Sequence, residues 1–283
     1  MDLLQNHPVL WMSVAALLGL QFGSFLNVVV WRLPVMMQRE WEAEVAQASG
    51  QAHEQAVFNL ATPGSHCTSC MTPLRARDLV PLLSYLWLKG RCGHCGAQVS
   101  MRYPLVELAV AAMWAFCASH WGLSFEALAW AGFGTVLLAL ALIDLDTMLL
   151  PDALTQPLLW VGLMVSALGL TQVNVQDSFW GAVAGYGFLW LMQAVFGMVT
   201  GKQGMGAGDF KLLAALGAWL GWFALPGVVL MSSLLAVVMA LVMRVRGSLA
   251  SGQAFPFGPY LALAGVLTAA FEPLAMFTQP FIR

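Results

Sequence analysis

The sequence predicts an all-α polytopic membrane protein of about eight transmembrane helices, with a small cysteine-rich lobe inserted after the first helix. Three observations predict this class. Of the 283 residues, 60% are hydrophobic and 9% are charged, whereas soluble domains carry about 25% charged residues. Apolar runs close to the length of about 20 residues that a helix needs to cross a bilayer recur along the chain. Most polar residues lie in one segment, 32–103.

Each apolar run predicts one membrane helix, because a helix satisfies its own backbone hydrogen bonds in lipid. The first run is longer than the hydrophobic region of a cleavable signal peptide, so we expect it to remain as the first span. The sixth run is short and could tilt or form a hairpin with the seventh, and a Pro/Gly-rich entrance to the eighth could be a kink or a substrate groove. The predicted spans are 9–31, 104–121, 125–144, 153–171, 178–199, 209–223, 225–243 and 256–278.

The predicted organisation has three parts. Residues 1–31 form the first span, 32–103 a cytoplasmic loop, and 104–283 a membrane-embedded core. Within the loop, 38–57 predicts an exposed or interfacial helix. The segment 63–96 is rich in turn residues and contains four cysteines, which is typical of a small lobe folded around a metal ion.

The distribution of Lys and Arg predicts the orientation of the chain. Of the 12 basic residues, seven lie in 32–103, and Lys202 and Lys211 flank the loop between spans five and six. With eight spans, all but Arg283 fall on one side of the membrane. The positive-inside rule makes that side the cytoplasm, so the N-terminus is expected outside, in the periplasm. The net charge of −2 shows no basic excess, so no nucleic-acid partner is predicted.

Acidic residues lie at two places at the predicted membrane surface. Burying a charged side chain at membrane depth is costly, so an acid found there usually has a function. Asp144, Asp146 and Asp152 lie where span three ends and span four begins, and Asp209 opens span six. The predicted topology places both clusters at the cytoplasmic face, so a carboxylate pair is geometrically feasible. Such a pair suits peptide hydrolysis, in which one carboxylate activates water and its protonated partner polarises the scissile carbonyl.

Each acid also has a structural interpretation. Asp152 occupies a usual N-cap position at a helix start, and Asp209 could likewise be only the N-cap of span six. Asp146 lies two residues from Asp144 and faces away from it on a helix, which favours an interfacial or supporting role. Lys211 could bind anionic lipid, tune the site, or extend its charged end to the membrane surface.

The glycine-rich loop before Asp209 contains Gly204, Gly206 and Gly208. A dinucleotide-binding loop needs a preceding strand and a parallel sheet, and a membrane helix precedes this loop, so nucleotide binding is not predicted. The glycines instead indicate backbone freedom at a helix end, which would let a substrate backbone approach Asp209. Gly206 and Gly208 are therefore candidate supporting residues.

Two CxxC pairs, Cys67 with Cys70 and Cys92 with Cys95, are separated by 21 residues. Four thiolates at this spacing predict a closed tetrahedral zinc site of the structural kind. A redox-active dithiol is the alternative. A closed site has no open coordination position, so zinc-dependent hydrolysis is not implied. Cys117, in span two, is predicted to be a small buried apolar residue.

Two further polar residues lie within predicted spans. Asn27 is in the first span, where Gly23 and Ser24 favour close helix packing; the alternative is a polar contact in a substrate or methyl-donor site. Glu107, early in the second span, needs a partner, for which Arg102 or a charge on a substrate are the candidates. Asn27 and Glu107 are also candidate supporting residues.

Five motifs together resemble those of the bacterial type IV prepilin peptidases, the leader peptidase/N-methyltransferases. They are GSFLNVVVWRLP, the CxxC lobe with KGRCGHCG, IDLDTMLLPD, GMGAGDFK and FPFGPYLALAG, and they occur in family order over nearly the whole chain. The resemblance implies an integral-membrane aspartic peptidase of the GxGD type, with Asp209 as the GxGD aspartate. It also identifies Asp144 as the second catalytic aspartate. Helical geometry does not distinguish Asp144 from Asp146 for this role, so the choice rests on the resemblance.

The resemblance implies a bacterial inner-membrane enzyme that cuts prepilins and type II secretion pseudopilins after a glycine at the cytoplasmic face. It further implies N-methylation of the new N-terminus with S-adenosylmethionine. The sequence has no Rossmann-type glycine signature, so the residues that bind this cofactor stay unassigned. The implied partners are these substrates and membrane lipid. Two other functions stay open: a scaffold with a zinc-folded lobe, and a proton-coupled transporter, although the internal repeat typical of transporters is not found.

Overall fold

A computed structural model describes residues 8–50, 56–201, 204–247 and 255–271 of the chain. Over these residues the fold is all-helical, as predicted, and β-structure is limited to two isolated bridges. Short 3₁₀ turns occur at Ala76–Leu79 and Trp222–Ala224. The α-helices are α1 (Pro8–Ala48), α2 (Leu83–Trp87), α3 (Arg102–Trp121), α4 (Phe125–Thr147), α5 (Asp152–Ala167), α6 (Val175–Thr200), α7 (Ala207–Leu220), α8 (Leu225–Val245) and α9 (Gly258–Phe271).

Every predicted span coincides with one of these helices. Among the residues that the structure describes, four helical segments are long and apolar enough to cross a membrane by length and composition: α1, α4, α6 and the segment Trp222–Val245, which contains α8. These helices fit a membrane protein, while the count of eight spans is not confirmed. The end of the eighth predicted span, beyond residue 271, lies outside the described residues, as do Lys202 and residues 51–55 of the predicted interfacial helix. The division at residues 31 and 103 stays a prediction.

The chain divides into two compact units, Met1–Thr135 and Val136–Arg283, here called the N-terminal and C-terminal units. In the N-terminal unit, α1 packs along α3. Their backbones approach closely at Gly23, where an added Cβ would lie 2.7 Å from the Cα of Glu107. Small residues permit such an approach between membrane helices. The packing interpretation of the Gly23 region is therefore confirmed.

Helix α1 extends well beyond the predicted first span. Its 41 residues correspond to about 60 Å, about twice the hydrocarbon thickness of a bilayer. Beyond the span, Arg32 is only 4% exposed and donates hydrogen bonds to the carbonyl oxygens of Asn59 (2.9 Å) and Pro63 (2.6 Å). The guanidinium of Arg39 lies 4.3 Å from the ring centre of Phe58. These contacts attach the start of the cysteine lobe to α1.

Helix α7 is the central helix of the C-terminal unit. Ten of its 14 residues are buried, and it packs chiefly against α5 and α6, with further contacts to α9. A helix that is apolar all round is expected inside a bundle. The short sixth span is therefore an interior helix, and its main partners are α5 and α6 instead of α8.

The packing of α6 on α7 depends on glycines. An added Cβ at Gly185 would lie 2.5 Å from the carbonyl oxygen of Leu213, and Gly181 and Gly217 meet backbone to backbone. Because a side chain at any of these glycines would push the helices apart, the contact fixes α7 closely against α6. It therefore fixes the position of the residues at the start of α7.

Candidate active site

Two buried acidic side chains lie near each other inside the C-terminal unit. Asp144 lies in the last turns of α4 and Asp209 in the first turn of α7, 65 positions later. Asp144 is 5% exposed and Asp209 8% exposed, and they are close enough for the charge of Asp144 to act on Asp209. Asp146, by contrast, is exposed. The structure thus brings together the two aspartates identified by the resemblance.

Asp209 is not an N-cap. The N-cap of α7 is Gly206, with extended backbone angles, so Asp209 is the third helical residue. The capping interpretation of Asp209 is therefore wrong. An acid in the first turn of a helix is nevertheless favoured, because the positive end of the helix dipole lies there.

Asp144 accepts a hydrogen bond from a residue that the sequence did not single out. The backbone amide of Gly258, the first residue of α9, donates to Asp144 Oδ2 at 2.9 Å, in a buried position. An added Cβ at Gly258 would lie 2.7 Å from the same oxygen and 3.1 Å from Leu150 Cδ2. Leu150 also contacts Gly208, where an added Cβ would lie 2.7 Å from Leu150 Cβ. Leu150 therefore packs against two glycines: Gly208, which precedes Asp209, and Gly258, whose amide donates to Asp144.

The loop before Asp209 is held by a side chain of α6. Gln193 Oε1 accepts hydrogen bonds from the backbone amides of Gly204 and Met205, both at 3.1 Å. Sequence reasoning missed Gln193, although an amide side chain within the fifth apolar run was the available signal. Gly206 is sterically open, since an added Cβ there would have only Asp209 Oδ2 as a neighbour, at 4.0 Å.

Asp152 and Lys211 form an ion pair beside this site. The N-cap of α5 is Pro151 and Asp152 is the first helical residue, so the N-cap interpretation of Asp152 is wrong. Lys211 Nζ lies 2.7 Å from both carboxylate oxygens of Asp152. Lys211 is two residues, or roughly 200° around the helix, from Asp209. The pair joins α5 to α7 and gives Lys211 a protein partner.

The four paired cysteines form one cluster in the N-terminal unit. Their sulfur atoms all lie within 4.8 Å of one another, and Cys67 Sγ is 3.9 Å from Cys95 Sγ. A tetrahedral zinc ion with zinc–sulfur distances of about 2.3 Å would set its sulfur atoms about 3.8 Å apart. The cluster therefore fits the donor set and the size of a metal site of the predicted kind.

The local backbone favours thiolates at the start of each CxxC pair. The amide of Cys70 donates to the sulfur of Cys67 and lowers its pKa, and the amide of Cys95 does the same for Cys92. At Cys95 the amide of Ala97 acts in the same direction, but the neighbouring thiols, Cys70 first, and burial raise its pKa to about 11. A bound divalent cation would attract the negatively charged thiolates and so offset the repulsion between them.

Asn27 and Glu107 make contacts within the N-terminal unit, whereas the acid pair belongs to the C-terminal unit. Glu107 Oε2 accepts a hydrogen bond of 2.7 Å from the backbone amide of Leu82, which precedes α2, and its carboxyl also interacts with the Ser24 side chain. Asn27 Nδ2 donates to the carbonyl oxygen of Tyr103 at 3.2 Å. Asn27 therefore joins α1 to α3, and Glu107 joins α3 to α1 and to the cysteine lobe.

Comparison with known protein families agrees with the division of the chain into an N-terminal and a C-terminal unit. Residues 17–121 match the bacterial Peptidase A24 N-terminal domain, and residues 131–241 match the type IV leader peptidase family. No solved structure shows a significant match to the chain.

Individual relatives that match over nearly their whole length belong to the same kind of protein as the family models. A prepilin leader peptidase/N-methyltransferase of Stutzerimonas stutzeri is 47% identical over 266 residues, covering 93% of this chain and 92% of the relative. The protein of that name from Pseudomonas aeruginosa is 48% identical over 267 residues, with coverages of 94% and 92%. That from Aeromonas salmonicida is 47% identical over 274 residues, with the same coverages. The chain therefore belongs to the prepilin leader peptidase/N-methyltransferase family.

Proposed function

We propose that the protein is a membrane aspartic endopeptidase that removes leader peptides from type IV prepilins and type II secretion pseudopilins, with Asp144 and Asp209 as its catalytic pair. One observation supports the pair above all: two buried carboxyl groups from helices distant in sequence lie in one compact unit, close enough for the charge of one to act on the other. Membership of the peptidase family supports the substrate class.

The pair accounts for peptide hydrolysis without a metal ion. Two adjacent buried carboxyl groups hold one proton between them, because two neighbouring negative charges repel. The ionised carboxylate removes a proton from water as the water oxygen attacks the scissile carbonyl carbon, and the protonated carboxyl donates to the carbonyl oxygen. The carbon–nitrogen bond then breaks, and the leaving amine takes up a proton from the pair.

Cleavage by purified protein in lipid tests this assignment. Asp144→Asn and Asp209→Asn keep the side-chain shape and remove the acid, so each should lower kcat by at least about 100-fold, the usual contribution of general acid–base catalysis. Glu126→Gln is the matched control, since Glu126 lies in the first turn of the helix that carries Asp144. A scaffold or a transporter would show no cleavage by the wild type. Normal cleavage by either folded Asn variant would contradict the pair.

We also propose that the protein methylates the new N-terminal amine, with S-adenosylmethionine as the methyl donor. The names of the relatives support this activity. In the reaction the amine nitrogen gains a methyl group from the donor sulfur and loses a proton. Mass spectrometry of the cleaved product should show one added methyl group only when S-adenosylmethionine is present. An unmodified product under those conditions would contradict the methylation proposal and leave the peptidase proposal intact.

Cys67, Cys70, Cys92 and Cys95 are proposed to hold a structural zinc ion. Their sulfur atoms cluster at distances suited to a tetrahedral site, and thiolates are preferred zinc ligands. Zinc would supply folding energy to a lobe with little core of its own.

The proposed location is the bacterial inner membrane, with the N-terminus in the periplasm. The apolar helices support a membrane location. The concentration of basic residues in the 32–103 loop supports placing the cysteine lobe in the cytoplasm. The same topology would place the acid pair at the cytoplasmic membrane surface, where the proposed substrates would present their leader peptides.

A further inference from the structure

The N-terminus of α9 has one backbone amide that its own helix does not use. The first amides of a helix have no partner one turn earlier and need one elsewhere. Here Pro259 has no N–H, and the amides of Tyr260 and Leu261 both donate to the carbonyl oxygen of Phe257. The amide of Gly258 donates instead to Asp144 Oδ2 at 2.9 Å, across 114 positions of sequence. The bond is charge-assisted when the carboxylate is ionised, which makes it one of the stronger kinds.

The same contact requires a glycine. An added Cβ at residue 258 would lie 2.7 Å from Asp144 Oδ2, a distance that real Cβ atoms essentially never show. It would also lie 3.2 Å from Asp144 Cγ, so rotating the carboxyl group would not relieve the clash. Any side chain at position 258 must therefore displace either α9 or the carboxyl group.

We propose that Gly258 is a positioning residue for the catalytic pair: its amide fixes Asp144 through Oδ2, and its lack of a side chain lets the carboxyl group lie against the start of α9. The inference rests on the proposed function of Asp144. It assigns a role to the FPFGPYLALAG motif different from a kink or a substrate groove.

Kinetics of Gly258→Ala test the proposal. Displacing a catalytic group by about 1 Å can lower the rate by about 100-fold, so kcat should fall by about that factor. KM should stay near the wild-type value, because a positioning residue acts on the reacting group and not on substrate binding. Gly265→Ala, on the same helix α9, is the control. The atoms nearest its added Cβ are the flexible side-chain ends of Leu216 and Leu137, and no atom of Asp144 is among them. Its kcat should stay near wild type. A raised KM with unchanged kcat for Gly258→Ala would indicate a substrate groove and overturn the proposal.

A second variant separates the two clashes at position 258. The added Cβ would also lie 3.1 Å from Leu150 Cδ2, so general crowding of Leu150 is a rival explanation for any loss. In the double variant Gly258→Ala with Leu150→Ala, the crowding of Leu150 is removed and the crowding of Asp144 remains. We expect kcat of the double variant to stay about 100-fold below that of Leu150→Ala alone. Recovery of kcat in the double variant would show that Leu150 packing was responsible and would overturn the proposal.

Hydrogen exchange tests the bond itself and does not require a folded Gly258 variant. Asp144→Ala removes the acceptor, so the Gly258 amide in a peptide covering residues 255–261 should exchange faster than in the wild type. Asp146→Ala, two residues further along and exposed in the wild type, should leave that exchange unchanged. The hydrogen bond would be contradicted if the Gly258 amide exchanged at the same rate in the wild type and in Asp144→Ala. It would also be contradicted if Asp144→Ala and Asp146→Ala accelerated the exchange equally.

Failure of the inference differs from failure of the proposed function. If the wild type cleaves, Asp144→Asn does not, and Gly258→Ala cleaves at the wild-type rate, only the role of Gly258 is wrong. If Asp144→Asn also cleaves normally, the catalytic pair is wrong and the role of Gly258 falls with it.

Discussion

Two glycines in the loop before Asp209 have different surroundings. An added Cβ at Gly208 would lie 2.7 Å from Leu150 Cβ, whereas at Gly206 it would have a single neighbour at 4.0 Å. A clash with a Cβ atom cannot be relieved by rotating a side chain. We therefore expect Gly208→Ala to lower the free energy of unfolding by about 1–3 kcal/mol, the usual cost of overpacking, and to reduce cleavage.

Gly206→Ala provides the comparison for this prediction. It changes the N-cap of α7 without a steric clash, so its effect should stay near or below 1 kcal/mol, within the range of a lost cap. Thermal unfolding in detergent and cleavage rates measure both variants. Equal stability of the two variants would show that Leu150 does not pack against Gly208 as described.

Helices α5 and α7 are joined by the ion pair between Asp152 and Lys211. The side chains are 60% and 27% exposed, and exposed pairs are typically worth less than about 1 kcal/mol because water and salt screen them. Lys211→Asp should therefore lower the melting temperature slightly, through repulsion between two carboxylates. The double variant Asp152→Lys with Lys211→Asp should recover most of that loss. Absence of recovery at low salt would mean that the pair does not join the helices.

The cysteine lobe should depend on its metal ion. Cys67→Ser removes one of four ligands, so zinc content and the stability of the lobe should both fall. Cys117→Ser is the control, because Cys117 is buried in α3, outside the cluster. Metal analysis and limited proteolysis measure the two effects. Unchanged zinc content in Cys67→Ser would contradict the four-cysteine site.

Zinc binding to the lobe should weaken as pH falls. Zinc binds thiolates, so each thiol must lose its proton, and protons compete with the metal. Cys95 contributes most to this dependence, since the neighbouring thiols and burial raise its pKa to about 11 and it must ionise to bind zinc. Zinc retained against a competing chelator should therefore decrease steadily from alkaline to acidic pH. Retention that is independent of pH would argue against thiolate ligands.

The orientation of the whole molecule can be tested with two matched serines. Ser49 follows α1 on the predicted cytoplasmic side, Ser124 lies between α3 and α4 on the predicted periplasmic side, and both are exposed. In cells whose outer membrane has been made permeable, a membrane-impermeant maleimide should label Ser124→Cys. Because the cysteines of the lobe also react, labelling of Ser49→Cys above that of the unsubstituted protein should appear only after the inner membrane is broken. The reverse pattern would invert the proposed topology.

The sequence by itself determined which segments are apolar helices and which residue types carry the chemistry. Hydrophobicity over about 20 residues is a local property, so each predicted span overlaps a helix in the part of the chain that the structure describes, although the count of eight membrane spans is not confirmed. The CxxC spacing is also local, and it predicted a cysteine cluster that the structure confirms. The motifs identified the acid pair as Asp144 and Asp209, and the structure brings these two acids together.

Only the tertiary structure decided what surrounds these residues. That Asp144 receives the amide of Gly258, that Lys211 pairs with Asp152, and that α7 is the central helix of its unit all depend on contacts between distant segments. The N-cap interpretations of Asp152 and Asp209 failed for a related reason: the cap is set by where the backbone turns into the helix, at Pro151 and Gly206. Such contacts depend on how all the helices of a unit pack together, so they cannot be inferred from a local stretch of sequence.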